Sequence, residues 1–424
     1  MESILIKSAA IIDEGNAMHG NQADVLIENG RIAKLGKVQA KADKVIEAKG
    51  MFLSIGWFDM RASFGDPGYE HREDLESGIA TAAAGGFTGV ALVPNNKPVT
   101  QTKNEVSYLK SRNQHSITEI FPIAAVSIDA RGEELTEMID LHHAGAVAFS
   151  DGIEPIWHTD ILLKSLQYLQ KFDGLLINKP EDIRLNLYGT MNEGINSTML
   201  GMKGMPKLAE ELIIQRDLEL LAYAGGRLHF TNISSERSLA MIRAARKRGL
   251  NVSCDVASCQ MLFDDAALAG FDTNFKVNPP FREKKDNKAL IKGIQDGTIE
   301  VIVSSHIPQD EENKKLEFDL AAFGVIGLQT VAANLTTLSE SVEMTTLIKA
   351  ITVNPRKLLH LNIPKIEEGA EANLTLFDPN HHWVLDNKSN RSKSKNSPYW
   401  GQKLKGRTLA TFNNGKHLIE QSLS

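Results

Sequence analysis

The sequence predicts an α/β protein, a (β/α)8 TIM-type barrel with a small β-sandwich domain built from both termini. Three observations predict it. Between residues 53 and 305 eight apolar runs recur, LSIGWFDM, GVALVP, IFPIAAVS, AVAFS, GLLIN, RLHFTN, NVSCDVAS and EVIVSS, each followed by a polar break and a stretch of helical period. Continuous rather than alternating apolar runs are what parallel strands covered on both faces require, and eight of them over about 250 residues fit a closed barrel. Outside them, residues 1–52 and 362–424 show short β segments punctuated by glycine and turn residues.

The elements follow in chain order. ILIKSAAII, ADVLIENGRIAKLG and DKVIEAKG form the N-terminal β segment (1–52), with Asn29 and Gly30 as a hairpin turn. The barrel segment (53–361) contains helices from Asp74 to Ala84, from Ser235 to Lys247 and from Asn287 to Asp296, stopped by Gly85 with Gly86, by Gly249 and by Gly297. Its last helical stretch is NPRKLLHL (354–361). The first βα turn has no G-x-G-x-x-G, which argues against an open dinucleotide-binding sheet. EEGAEANLTLFDP and GRTLATFNNGKHL then return to β punctuation around a basic polar loop, DNKSNRSKSKNS (386–397). Glu181 to Pro206 is long and lacks periodicity, read as a lid or mobile loop, and the charge run of IPQDEENKKLEFDL (307–320) is read as a solvated face.

Composition removes several function classes. The 53 acidic and 47 basic side chains of the 424 residues leave a net charge of -6 with no single-sign block, so neither nucleic acid nor a membrane surface is an expected partner. No stretch reaches the roughly 18 uninterrupted apolar residues of a membrane span. Lys7 and Asp13 interrupt what would be the apolar core of an export signal. The only two cysteines, Cys254 and Cys259, form neither a disulfide framework nor a CxxC motif. A reducing cytoplasm is the expected location.

In a barrel the chemistry sits where the strands end. The residues closing the runs are Asp59 with Arg61 and Ser63, Asn95 and Asn96, Ser150 and Asp151, Asn178 and Lys179, His229 and Asn232, Asp255 and Cys259, and Ser304, Ser305 and His306. The 12 histidines are enough for a metal hydrolase, yet none forms an H-x-H, and only His229 and His306 fall at strand ends. The adjacent pairs His142 with His143 and His381 with His382 lie elsewhere. Cys259 reads as a small buried residue or a reactive thiol. His306 beside two serines invites a nucleophile and base reading but lacks a third orienting group.

The strings GWFDMRASFGDPGYEHREDLESG, AAAGGFTGVALVPNNKPV, AVAFSDG, FKVNPPFR, EFDLAAFGVIGLQT, IEEGAEANLTLFDP and SKSKNSPYWGQKLKGRTLAT together make the chain resemble the dihydroorotases, of the cyclic amidohydrolase group, along nearly its whole length. For an active member the resemblance implies a two-metal site that generates hydroxide and polarises the ring amide of dihydroorotate, with an aspartate relaying the proton. It places the family's first two histidine ligands at Arg61 and Ser63, a third at Lys179 and a fourth at Asn232. The substrate-gripping arginine falls at Gly65 and the catalytic aspartate at Ser305. Asp151 stands at the bridging carboxylate, and Asn95 and Asn278 at substrate-contact positions.

A guanidinium stays charged in a protein, so Arg61 stands where cations should bind, and one remaining carboxylate makes no zinc site. The expectation is a dihydroorotase-like protein of pyrimidine biosynthesis with no intact catalytic residue and no cofactor. The resemblance offers it a role as a structural partner of aspartate carbamoyltransferase, and family members often form homodimers. Two other readings stand beside it. One is a cyclic-amide hydrolase with a reduced site on Asp151, Lys179 and His306, needing zinc if it keeps the family's reaction. The other is a metal-free pocket binding a carboxylate or ureido metabolite through Arg61, Lys179, Asn95, Asn278 and His306. Asp151 itself reads as a residual ligand or a turn residue. The sharper structural expectation is that Arg61 pairs with Asp151, and that Lys179 pairs with Asp151 or a neighbouring acid, filling the space of the metal ions.

Overall fold

The computed structural model describes residues 3–113, 116–420 and 423. Eight parallel strands, Trp57–Ala62, Phe87–Leu92, Glu119–Ala124, Ala148–Phe149, Leu175–Asn178, Arg227–Phe230, Val252–Ala257 and Val301–Val303, pair in sequence order. The eighth returns to the first through a parallel bridge between Ala62 and His306 and a hydrogen bond from the Ser63 amide to the His306 carbonyl (2.8 Å), so the barrel closes. Each predicted apolar run supplies one barrel strand. The strands alternate as a barrel demands: Ala91, Ile123, Ile177 and Val301 fill one apolar cluster, while Val90, Leu176, Leu228 and Ile302 join the cluster shared with the surrounding helices.

The helices follow their caps. Asp74 accepts from the Ser77 amide at the start of Leu75–Ala84, and Ser235 accepts from the Ser238 amide at the start of Glu236–Lys247. The third predicted helix begins earlier than expected, at Lys284, because its charged first turn carries no apolar signal. The aperiodic segment 181–206 is not all loop: it holds the helix Ile195–Leu200 and a short parallel pair, Met191–Asn192 with Gly204–Met205.

Strands from both chain ends form one eight-stranded sheet. Asn29 and Gly30, both at positive φ (52° and 75°), turn Gln22–Glu28 into Arg31–Gly36 as the hairpin signal predicts. Strand Ile4–Ile11 pairs along one edge first with Lys44–Glu47 and then with Phe52–Ile55. The change falls at Ser8, at φ 57° beside a bulge. Ile6, Ile11, Val25 and Leu53 thereby share a core with Leu376 and Phe412 from the C-terminal strands.

The run LSIGWFDM divides at Gly56. Phe52–Ile55 belongs to the β domain and Trp57–Ala62 to the barrel. A Cβ on Gly56 would lie 2.2 Å from both Asn373 Oδ1 and Thr88 Oγ1, so only glycine passes this joint. Among the described residues no helix is long and apolar enough to cross a membrane.

Candidate functional site

The strand ends and the loops above them enclose a cavity of about 640 Å³, lined by Arg61, Ile153, Lys179, Glu181, Lys276 and Asn278, by residues 186–190 and by residues around Ile307 and Phe323. Three of the predicted site residues, Arg61, Lys179 and Asn278, therefore line one cavity. Asn95, Asp151 and His306 do not line it.

Arg61 ends the first strand and is 3% exposed. Its Nη2 donates to the Gly152 carbonyl at 3.4 Å, while Nε and Nη1 are buried without a hydrogen-bond partner. Burial lowers its pKa, and the nearby charges of Asp255 and Asp59 oppose that shift. The expected pair with Asp151 does not form. Backbone donors at the end of the third strand, Val126 N (3.0 Å) and Ser127 N (2.9 Å), and Ser127 Oγ (2.6 Å) take the Asp151 oxygens. Asp151 is thus a structural acceptor, as the turn reading has it.

Asn95 is consumed in the same way: its Nδ2 donates to the Asp151 carbonyl (2.9 Å) and its Oδ1 accepts from the Ile153 amide (2.8 Å). Lys179 pairs with Glu181, not with Asp151, and also donates to the Ile153 carbonyl (3.2 Å). Burial pushes the Glu181 carboxyl up, but Lys179, with hydrogen bonds from Asn186 (2.9 Å) and Asn278 (3.0 Å), outweighs it and holds it below the usual range.

Behind the cavity a second buried layer ties strands together. Asn232 donates from Nδ2 to Ser305 Oγ (2.8 Å) and from its amide to Asp255 (2.6 Å). His229 lies 2.9 Å from Asp255 through Nε2 and 2.7 Å from Ser253 Oγ through Nδ1. Asp59 accepts from the Ser304 amide (3.0 Å) and hydroxyl, and burial pushes it up to about 7. His306 Nδ1 accepts from the Gly327 amide (3.2 Å), which sets the Nε2–H tautomer, and Nε2 faces Glu73 at 3.5 Å.

Glu73 is a buried acid that the sequence did not single out; it stands near His306 Nε2 without a hydrogen bond to it and binds Ser77, Ser392 and the Lys393 amide. It sits inside the charged string YEHRED, where a buried carboxylate gives no signal. Lys314 corrects the reading of 307–320 as a solvated face: its buried amine donates to the carbonyls of Ala322 (2.9 Å) and Gly324 (3.3 Å), and burial with Lys276 nearby lowers it to about 7. Cys259 is buried and its thiol is pushed up to about 12, so it is a core residue and not a reactive thiol.

Residues 50–238 match the family model described as Dihydro-orotase-like. A protein called dihydroorotase from Syntrophus aciditrophicus is 37% identical over 99% of this chain and 99% of its own length. Those from Acetivibrio thermocellus (37%, over 99% and 100%) and Geotalea daltonii (38%, over 98% and 98%) are equally similar. The chain belongs to the dihydroorotase-like family. Among solved structures, the L-hydantoinase of Arthrobacter aurescens superposes with a TM-score of 0.85 at 21% identity, covering 99% of this chain and 97% of that one. The dihydropyrimidinase of Brevibacillus agri gives 0.81 at 19% identity, covering 99% and 95%. These two likenesses establish the shared barrel and β domain.

The dihydroorotase-like family implies bound metal, and the donors here do not fit it. Two of the positions that the resemblance assigns to ligands hold cations, Arg61 and Lys179, and two hold Ser63 and Asn232, whose Nδ2 is bound to Ser305. Asp151 accepts the Val126 and Ser127 amides and the Ser127 hydroxyl. Among the described residues no three His, Cys, Asp or Glu side chains lie together in a way that could hold an ion.

One pH effect follows from this layer. The Asp151 carboxyl is raised by burial from 3.8 to about 6 despite its hydrogen bonds. The folded state therefore binds a proton at a pH where the unfolded chain has lost it, and stability falls as pH rises from about 4 to about 6. Asp151→Asn, which can still accept both amides, is expected to flatten that fall in urea unfolding between pH 4 and 7; an unaltered slope counts against the assignment.

Proposed function

We propose that this dihydroorotase-like chain works in the cytoplasm, in pyrimidine biosynthesis, as a homologue that does not hydrolyse dihydroorotate and serves as a partner of aspartate carbamoyltransferase. One observation carries the loss of catalysis. A buried guanidinium and the Lys179–Glu181 ion pair fill the wall where the family's cations would sit, and a permanent cation at Arg61 repels a divalent ion instead of binding it. Asn232 hydrogen-bonded to Ser305 supports the same reading, because the positions of a ligand and of the catalytic aspartate have become a neutral pair.

A role as a partner, and as a homodimer, is supported by apolar side chains presented to solvent: Tyr188 (78% exposed) and Leu320 (68%) on the cavity lining, and Ile195 and Met199 (78% each) on the helix Ile195–Leu200. The test is direct. Purified full-length protein is expected to carry no stoichiometric zinc, and to leave dihydroorotate at its uncatalysed rate of hydrolysis after zinc is added. Stoichiometric zinc with turnover would overturn the proposal. Mixed with aspartate carbamoyltransferase from the same cell, the chain is expected to elute as a complex on size exclusion; separate elution removes the partnership.

A further inference from the structure

Where the barrel and the β domain meet, a second cavity of about 630 Å³ opens, nearly as large as the one at the strand ends and sharing no lining residue with it. Its walls come from residues 12–18 with Leu35 and Ile55, from the helices Met344–Ile351 and Val353–Leu358, and from residues 363–368. Both hydrophobic cores reach it. Ile12 and Ile348 belong to the barrel core, Ile55 and Ile366 to that of the β domain, and all four are buried. Met18, Leu35, Val353 and Ile363 pack on the β-domain core but are only half-buried, so the cleft keeps an apolar wall in contact with water. A cleft of this size and lining at a junction between domains is suited to a small molecule.

The charges on the lining narrow its chemistry. Glu14 is bound to Lys349 (2.6 Å), Glu367 to Lys365 (3.6 Å), and Glu368 accepts from the Leu35 amide (3.0 Å). Lys357 is exposed to water. Asp13 differs from all of these. It is half-buried, its carboxylate accepts only from the Gly15 amide (3.1 Å), and among the described residues no lysine or arginine pairs with it. His19 supplies no counter-charge in this arrangement, because its Nδ1 accepts from the Asp13 amide (3.2 Å), which a protonated ring cannot do. A carboxylate withdrawn from water without a cation is unfavourable, and here it stands beside uncovered apolar surface.

We infer that this cleft binds a small organic ammonium, with its charged nitrogen on the Asp13 carboxylate and its alkyl or aryl body on Met18, Val353 and Ile363. An ammonium brings both the charge and the donors that Asp13 lacks, and its carbon body covers the open wall in the same step. Neither half answers the site alone. A bare cation leaves the wall wet, and a neutral hydrocarbon leaves the acid unpaired. The inference is independent of whether the strand ends carry out chemistry.

Calorimetric titration of the full-length protein with hexylamine and phenethylamine, against hexanol, hexanoate and ammonium chloride at matched ionic strength and neutral pH, tests it. Saturable binding of at least one amine is expected, with the three controls weaker by about tenfold or more. Asp13→Asn, which keeps an oxygen for the Gly15 amide, is expected to weaken the amine about tenfold or more, as loss of a hydrogen bond to a charged group does. Glu14→Gln, whose acid is already taken by Lys349, is expected to leave the affinity unchanged. No saturable amine binding, controls that bind as tightly as the amines, equal affinity in Asp13→Asn, or an equal loss in both acid variants would each overturn the inference, the last because it would trace affinity to net charge. Should Asp13→Asn fail to fold, Thr345→Arg decides, since it sets a long cation on the cleft wall; unchanged affinity there overturns the inference as well.

Discussion

Asp255→Ala is expected to lower the unfolding free energy by roughly 3–5 kcal/mol, the range for removing one partner of a buried charged network. Asp255 is 1% exposed and accepts from the Asn232 amide at 2.6 Å and from His229 Nε2 at 2.9 Å. Alanine strands both donors. It also removes the stronger of the two Coulombic attractions acting on Arg61. Urea unfolding with an unchanged m-value measures the loss. Adding Arg61→Met to Asp255→Ala is expected to recover part of it, because the uncompensated cation goes too. A loss under about 1 kcal/mol, or no recovery in the double variant, would show that the through-space coupling contributes nothing.

Arg282→Ala is expected to be as damaging, about 3–5 kcal/mol, and its effect should be regional. The side chain is 2% exposed and crosses between two parts of the molecule. Its Nε donates to Ser234 Oγ (2.9 Å) after the sixth barrel strand, and its Nη1 donates to the Met205 carbonyl (2.7 Å) and Asn192 Oδ1 (3.2 Å) in the segment over the cavity. Glu210, which gathers the amides of Ser234 (3.0 Å) and Ser235 (3.1 Å), stands 3.9 Å away and would lose that ion-pair partner. Hydrogen exchange should speed up in peptides covering 190–206 and stay unchanged in the β domain. Uniform acceleration would mean that Arg282 holds the whole fold and not that segment.

How much of this was legible in the sequence depended on the range of the interaction concerned. All eight barrel strands announced themselves, since burial on both faces leaves a continuous apolar run, and the Asp74 and Ser235 caps act within one helical turn. The division of LSIGWFDM at Gly56 was hidden, because an apolar run looks the same whether its partners lie in one sheet or two. The helix Ile195–Leu200 and its flanking bridges are too short for a period to register. Strand ends marked where Asn95, Asp151 and Arg61 would lie, but not which way each would turn.

Asp151 was captured by amides of the adjacent third strand, a neighbour in space whose backbone donors carry no residue-type signal. Glu73 and Lys314 escaped for a different reason. Each is embedded in a string of charges, and composition cannot distinguish the one member that folds inward from those that stay in water.

The joint at Gly56 bears on how anything enters the cavity. Many two-part enzymes open by swinging one part against the other about a small residue with free space around it. Here the small residue is small because the space is taken: Asn373 and Thr88 close on it from two sides, and Asn373 is itself bound to Asn413 across the β domain (2.9 Å). A joint packed in this way transmits rotation and does not absorb it. A hinge at Gly56 is thereby closed off, and the strand-end cavity is bordered by the loops at residues 153–155, 186–190 and 307–324.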